Sequence, residues 1–262
     1  MAYENITLDV SPEGTAVLTL NRPEKRNAFN APMIEELSDA FETLSKNPEC
    51  RLLLIRGAGS VFSAGADLEW MKAASHYSER ENEEDAYAMA HMLRQLFELP
   101  QITIALLHGA AMAGACGIAA AADIAIARKG TIFSFSEVKL GIIPATISPY
   151  VIRAMGERAA SRYFLSAERF DAAEAYRIGF VHDICLPAEL DGRVNDMLGH
   201  LILGGARAIE ECKKLIQLSG GTKLTPAVRT ETARRIARQR ATDEARDGIA
   251  AFLDKRPPSW LL

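Results

Sequence analysis

The chain has 262 residues, with 30 Lys plus Arg against 34 Asp plus Glu and a formal net charge of −4. Hydrophobic residues make up 48% and charged residues 24%, the balance of a globular protein large enough to bury a core without disulfide or metal staples. Mild acidity argues against a generally basic surface for nucleic acid or anionic lipid. The one basic stretch, Arg229–Arg240, also carries Glu231 and reads as a solvated or interfacial helix face. The cysteines at 50, 116, 185 and 212 form no CxxC pair and no cluster with histidine, so no metal site is expected. No apolar run reaches the ~18 residues of a membrane span, and the first residues lack the pattern of a secretory signal. A cytoplasmic protein with no membrane association is the expectation.

Thr15–Leu20 has the β-branched alternation of a strand and ends at Asn21-Arg22-Pro23. Asn30 is placed to cap a helix with Pro32 in its first turn, and Met33, Ile34, Leu37, Phe41 and Leu44 fall on one face of that helix. Arg51–Arg56 and Ile102–Leu107 read as short buried strands, separated by an acidic stretch at 76–85 that leads into a helix ending near Pro100. Asp123–Ala127 and Thr131–Phe135 complete the strand-like segments. From Pro149 onward the pattern is helical: 149–166, 171–178, 189–204, 206–218 and a long segment at 225–253. The spacing predicts an α/β core over residues 1–200 and a helical C-terminal lobe over 201–262.

No GxGxxG, GxxxxGK[ST], HExxH or GxSxG occurs. Cys116 reads as a buried thiol and His108 as a structural histidine at a strand end. Two small-residue segments stand out instead. Phe62–Met71 (FSAGADLEWM) follows a strand and a glycine turn, and His108–Gly117 (HGAAMAGACG) follows a strand and opens an Ala-rich helix. Such segments expose backbone N–H groups, and a helix N-terminus adds its dipole, an arrangement suited to an oxyanion. Taken singly, either segment could equally be a tight packing site.

Taken together and in order, these segments resemble the crotonase (enoyl-CoA hydratase/isomerase) superfamily. The similarity runs through NRPEKRNAFN, FSAGADLEWM, HGAAMAGACGIAAAADIAIA, FSFSEVKLGIIPATISPYVIRAMG, FLSAERFDAAEAYRIGFVHDI and AFLDKRPPSW. The resemblance implies a spiral of ββα turns with a helical C-terminal oligomerisation lobe, forming trimers or dimers of trimers. It implies an acyl-CoA thioester substrate and no cofactor, coenzyme A being part of the substrate. By the same resemblance the N–H groups of Ala66 and Gly114 would polarise the thioester carbonyl. Lys25, Arg26 and Ala28 would lie along the CoA nucleotide, and Ala64, Asp67 and Leu68 would line the adenine and pantetheine path. Phe252 and Lys255 would reach the CoA of a neighbouring subunit, or be a packing Phe and a solvated Lys.

The acid/base residues decide the reaction. Typical hydratases of the family use two glutamates. The second matches Glu137, whereas Gly117 stands where the first would be. A single carboxylate is also the pattern of Δ3,Δ2-enoyl-CoA isomerases. Gly117, with Pro144–Tyr150 (PATISPY) in place of a Gly-rich segment, looks like hydratases for branched, carboxylated enoyl-CoAs of the 3-methylglutaconyl and carboxygeranoyl type. Glycine at 117 would open room for a β-branch. The expectation is an enoyl-CoA hydratase, with the isomerase or a non-catalytic acyl-CoA-binding protein as alternatives.

Overall fold

The computed structural model describes residues 3–221 and 223–261. In chain order its strands are β1 (Ile6–Val10), β2 (Thr15–Leu20), β3 (Leu52–Gly57), β4 (Ile102–Leu107), β5 (Ala110–Met112), β6 (Ile124–Arg128), β7 (Ile132–Ser134), β8 (Phe170–Asp171) and β9 (Asp183–Cys185). The helices are α1 (Ala31–Ser45), α2 (Leu68–Ala74), α3 (Glu79–Glu98), α4 (Gly114–Ala121), α5 (Ser148–Ser166), α6 (Ala172–Arg177), α7 (Leu190–Ile202), α8 (Ala206–Ser219), α9 (Pro226–Arg240) and α10 (Asp243–Asp254).

β1 and β2 pair antiparallel, with Ile6 opposite Leu20. Every later pairing in this sheet is parallel, giving the order β1-β2-β3-β4-β6-β9. Parallel strands need crossovers, which bury both faces of the sheet. All six residues of β4 are accordingly buried. A second layer contains β5-β7-β8, with β5 and β7 parallel. Isolated parallel bridges, Phe29 to Ala66 and Ser63 to Ala111, extend it towards the N-terminus. The architecture is therefore a stack of turns, each passing from the first sheet to the second layer and then into a helix. β2, Phe29 and α1 make one turn; β3, Ser63–Ala66 and α2 the next; β4, β5 and α4 the third; β6, β7 and α5 the fourth. This is the expected ββα spiral in an α/β chain with a helical C-terminal region.

Local chemistry explains the helix starts. Asn30 Oδ1 accepts the Met33 N–H at 3.0 Å, and α1 buries Met33, Ile34, Leu37, Ala40, Phe41 and Leu44. The acidic stretch at 76–85 becomes the exposed opening of α3. There Ser78 and Glu81 form a capping box before Met89, Met92, Leu93 and Leu96 turn inward. Phe133, Phe135, Phe170 and Phe180 pack ring on ring in the core, at centroid separations of 5.4–6.0 Å.

One compact unit runs to Leu190 and a second begins at Asp191, so the expected boundary at residue 200 falls inside α7. In the second unit the expected long helix over 225–253 is two helices. Thr242 ends one and caps the next by accepting the Ala245 N–H at 3.2 Å. β1, β8 and β9 also lie outside the elements read from the sequence. Among the described residues no helix is long and apolar enough to cross a membrane.

One buried amide ties the first two turns together. Asn27 is fully buried with φ 54°, and its Nδ2 donates to the carbonyls of Ala58, Val61 and Phe62 at 2.7–3.1 Å. Its Oδ1 accepts the Arg22 N–H at 2.9 Å. Asn27→Ala leaves these partners unpaired and places a Cβ-bearing residue without a local polar partner at positive φ. A loss of roughly 2–4 kcal/mol is expected, measured as a lower urea midpoint at an unchanged m-value.

Candidate active site

The second layer sets the site. In the Phe29–Ala66 bridge, Phe29 N–H donates to the Gly65 carbonyl at 2.7 Å and Asp67 N–H to the Phe29 carbonyl at 2.8 Å. Parallel pairing of this kind aims the peptide groups of the residue between, Ala66, away from Phe29. The next segment lies alongside. Ser63 N–H donates to the Ala110 carbonyl at 3.1 Å, and Met112 N–H to the Ser63 carbonyl at 3.2 Å. Gly65 adopts φ +94°, and a Cβ there would stand 3.2 Å from the Met112 carbonyl oxygen and 3.5 Å from Ala113 Cβ. Glycine is thus required both by conformation and by this close approach.

Ala66 and Gly114 each lie one residue beyond that contact. Ala113, the N-cap of α4, has φ 49° and ψ −116°, and its N–H donates to the Ser134 carbonyl at 2.9 Å. A non-glycine residue in that region costs on the order of 1–3 kcal/mol and is held there by its surroundings. The twist opens α4 directly at Gly114, whose N–H belongs to the first, unpaired turn of the helix. Neither the Ala66 N–H nor the Gly114 N–H has an acceptor among the described residues. Both residues are half-buried.

Glu137 opens the short 3-10 turn Glu137–Leu140 after β7. The residue is 9% exposed, and its Oε2 is buried with no hydrogen-bond partner among the described residues. Burial pushes the carboxyl above the usual carboxylate range, and its own backbone N–H offsets only part of that. A raised, unpaired carboxyl is suited to taking and returning a proton.

Gly117 lies one turn into α4 and is buried. The room expected beside it is filled. A Cβ at 117 would overlap Ile147 Cγ2, stand 3.1 Å from Ile147 Cβ and 3.3 Å from Leu93 Cδ1. Ile147, from the Pro144–Tyr150 segment, is 2% exposed. Sequence reasoning singled out that segment but not this residue, because the contact spans thirty positions and has no periodic signature.

The other expected residues fall into two groups. Asp67 is buried; it caps α2 by accepting the Glu69 N–H at 2.8 Å and pairs with Arg22 at 3.0 Å. Burial raises its carboxyl, but the Glu69 N–H and the Arg22 guanidinium together hold it below the usual range. Its side chain is therefore committed to the scaffold. Arg22 also donates to the Ala28 carbonyl at 2.6 Å, so it fixes the loop carrying Lys25, Arg26 and Ala28. Arg22 and Asn27 carry no local signature in the sequence, because their roles depend on partners far along the chain. Lys25, Arg26, Ala64 and Leu68 are exposed, and Lys25 stands 3.4 Å from Glu69. Ala28 is buried, and Ala64 N–H donates to the Arg26 carbonyl at 2.9 Å. In the second unit Phe252 is 82% exposed and Lys255 caps α10 at φ 55°.

Cys116 is fully buried, donates to the Ala111 carbonyl at 3.1 Å and has its thiol pushed up by burial, which makes it inert packing. His108 Nε2 meets the Gly59 carbonyl at 3.1 Å, a structural contact. No group of three or more metal-ligating side chains occurs among the described residues.

Residues 11–261 match the enoyl-CoA hydratase/isomerase family. The crotonyl-CoA hydratase of Syntrophomonas wolfei is 33% identical over all of this chain and 99% of its own length. The trans-2-decenoyl-[acyl-carrier-protein] isomerase of Streptococcus mutans is 28% identical over 99% of both chains. The crystal structure of an enoyl-CoA hydratase from Shewanella pealeana shares 39% identity and a TM-score of 0.95, covering 98% of this chain and 96% of that one. The family match runs through nearly the whole chain and the stacked turns agree with such solved structures, so the chain belongs to the enoyl-CoA hydratase/isomerase (crotonase) family of enzymes.

Proposed function

We propose that the protein hydrates an α,β-unsaturated enoyl-CoA, with Glu137 as its sole acid/base residue. The supporting observation is the combination of one buried carboxylate with an unpaired oxygen and two unused N–H donors on neighbouring segments. In this reading the Ala66 and Gly114 N–H groups form an oxyanion hole for the thioester oxygen. Donors fixed in advance favour the enolate over the neutral carbonyl, commonly the largest single contribution in such catalysis. Glu137 takes a proton from water as its oxygen adds to the β-carbon, and returns that proton to the α-carbon. The product is the 3-hydroxyacyl-CoA, and the carboxylate is regenerated.

Lys25 and Arg26 supply exposed cations for the CoA phosphates. The small Ala28 and Ala64 and the apolar Leu68 border the nucleotide and pantetheine path. Asp67 supports that path through Arg22 rather than by touching it. Phe252 and Lys255 serve a neighbouring subunit's CoA in a homotrimer or a dimer of trimers. With the space beside Gly117 closed by Ile147, a straight-chain acyl group fits this reading better than a β-branched, carboxylated one.

A second reading, Δ3,Δ2-enoyl-CoA isomerisation, is favoured by the same single carboxylate. Product mass separates the two, since hydration adds one water and isomerisation adds nothing. Incubation with crotonyl-CoA is expected to give the hydrated product. Turnover confined to 3-enoyl-CoA, with no change of mass, would replace hydration with isomerisation.

Glu137→Gln is expected to lower kcat by roughly 10²–10⁴-fold with KM for crotonyl-CoA little changed. In the wild type, kcat/KM falls as pH drops through the Glu137 pKa, and that limb lies above the ordinary carboxylate range. The stability effect has the opposite benefit. A carboxyl with a raised folded-state pKa binds more protons folded than unfolded, so stability declines as pH rises from the unfolded pKa through the raised one. Glu137→Gln removes that decline. Thermal melts should show the variant more stable than wild type at neutral pH, with the advantage vanishing below the pKa of an ordinary glutamate.

A further inference from the structure

The side of α4 next to the Gly114 donor is closed by hydrocarbon. A helical side chain leans toward the helix N-terminus and covers the turn before its own Cα. A side chain at 117 would therefore lie over the Gly114 turn, beside the donor. Gly117 has none, and its place is taken by Ile147 Cγ2, with Leu93 Cδ1 behind it. A Cβ on Gly114 would likewise stand 2.9 Å from Met89 Cε. Met89, Leu93 and Ile147 thus form an apolar wall along the first turn of α4, and each is at most 7% exposed.

We propose that Ile147 is a specificity-determining residue that selects acyl chains unbranched at the β-carbon. This rests on the proposed function above. With the thioester oxygen on the Gly114 N–H, the first acyl carbons run beside this wall. A methyl branch on the β-carbon would meet the Ile147 methyl group. Packed side chains at native density have no spare volume for such a group, and overpacking is resisted. Glu137 Oε2 is itself buried with no hydrogen-bond partner among the described residues. Water and proton then have a single handler, and straight-chain substrate is accommodated without displacing Ile147.

The test is steady-state turnover of crotonyl-CoA against 3-methylcrotonyl-CoA by wild type, Ile147→Val and Ile147→Ala. The ratio of kcat/KM for branched over straight substrate should rise stepwise, by about tenfold or more in Ile147→Ala, the scale of discrimination that one methyl group supplies. Folded variants that both keep the wild-type ratio would overturn the assignment. Wild-type protein inert on both esters would instead overturn the proposed function, and this inference with it.

The contact has its own readout in melting temperature. Replacing a helical glycine by alanine ordinarily stabilises. Gly117→Ala should melt lower than wild type, and adding Ile147→Ala should restore much of the loss. A Gly117→Ala protein that melts higher than wild type would show that Ile147 does not seat on Gly117, and would sink the proposal.

Discussion

The site depends on the parallel backbone pairing of the second layer. Phe29 pairs with Ala66, Ser63 with Ala111, and Ala111 with Phe133, so four consecutive turns are joined by main chain alone. That ladder brings Gly65 against Met112 and Ala113, and it leaves the next N–H of each segment, at Ala66 and Gly114, without an acceptor among the described residues. The buried Asn27 amide and the Arg22–Asp67 pair brace the outermost of these turns. A buried ion pair adds little net stability, because desolvation opposes it. Its value here is positional, since Arg22 links the carboxylate that caps α2 to the carbonyl of Ala28.

In the proposed reading Glu137 supplies the chemistry and Ile147 the shape. The carboxylate is kept in an apolar setting that disfavours its charge, and this is what brings a carboxylic acid towards the pH at which it can exchange protons. Ile147 removes any polar alternative beside Gly117. Ile147 and the proposed acid/base residue thus share one condition, burial in an apolar setting. They meet it with opposite consequences for stability.

Much of the scaffold was legible because it follows periodic rules. The α1 face repeats at helical spacing behind a capping Asn, and β4 is an uninterrupted apolar run as a doubly covered parallel strand must be. The donor segments were visible as clusters of small residues. The pieces that escaped have no local signature. β8 and β9 are two and three residues long, and the division of the last long helix turns on one threonine hydroxyl. The filling of the Gly117 space by Ile147 is a tertiary fact, and glycine looked like vacancy because a sequence does not show its neighbour.

The two donors proposed to hold the thioester oxygen, at Ala66 and Gly114, belong to the peptide backbone and depend on no side chain of their own. Among the natural amino acids only proline lacks the N–H. Nearly every point mutation at Ala66 or Gly114 would therefore alter the surroundings and leave the donor in place. On the proposed reading, substitution can exchange carboxylates, walls and acyl preferences on this scaffold while the pair of backbone donors stays in place.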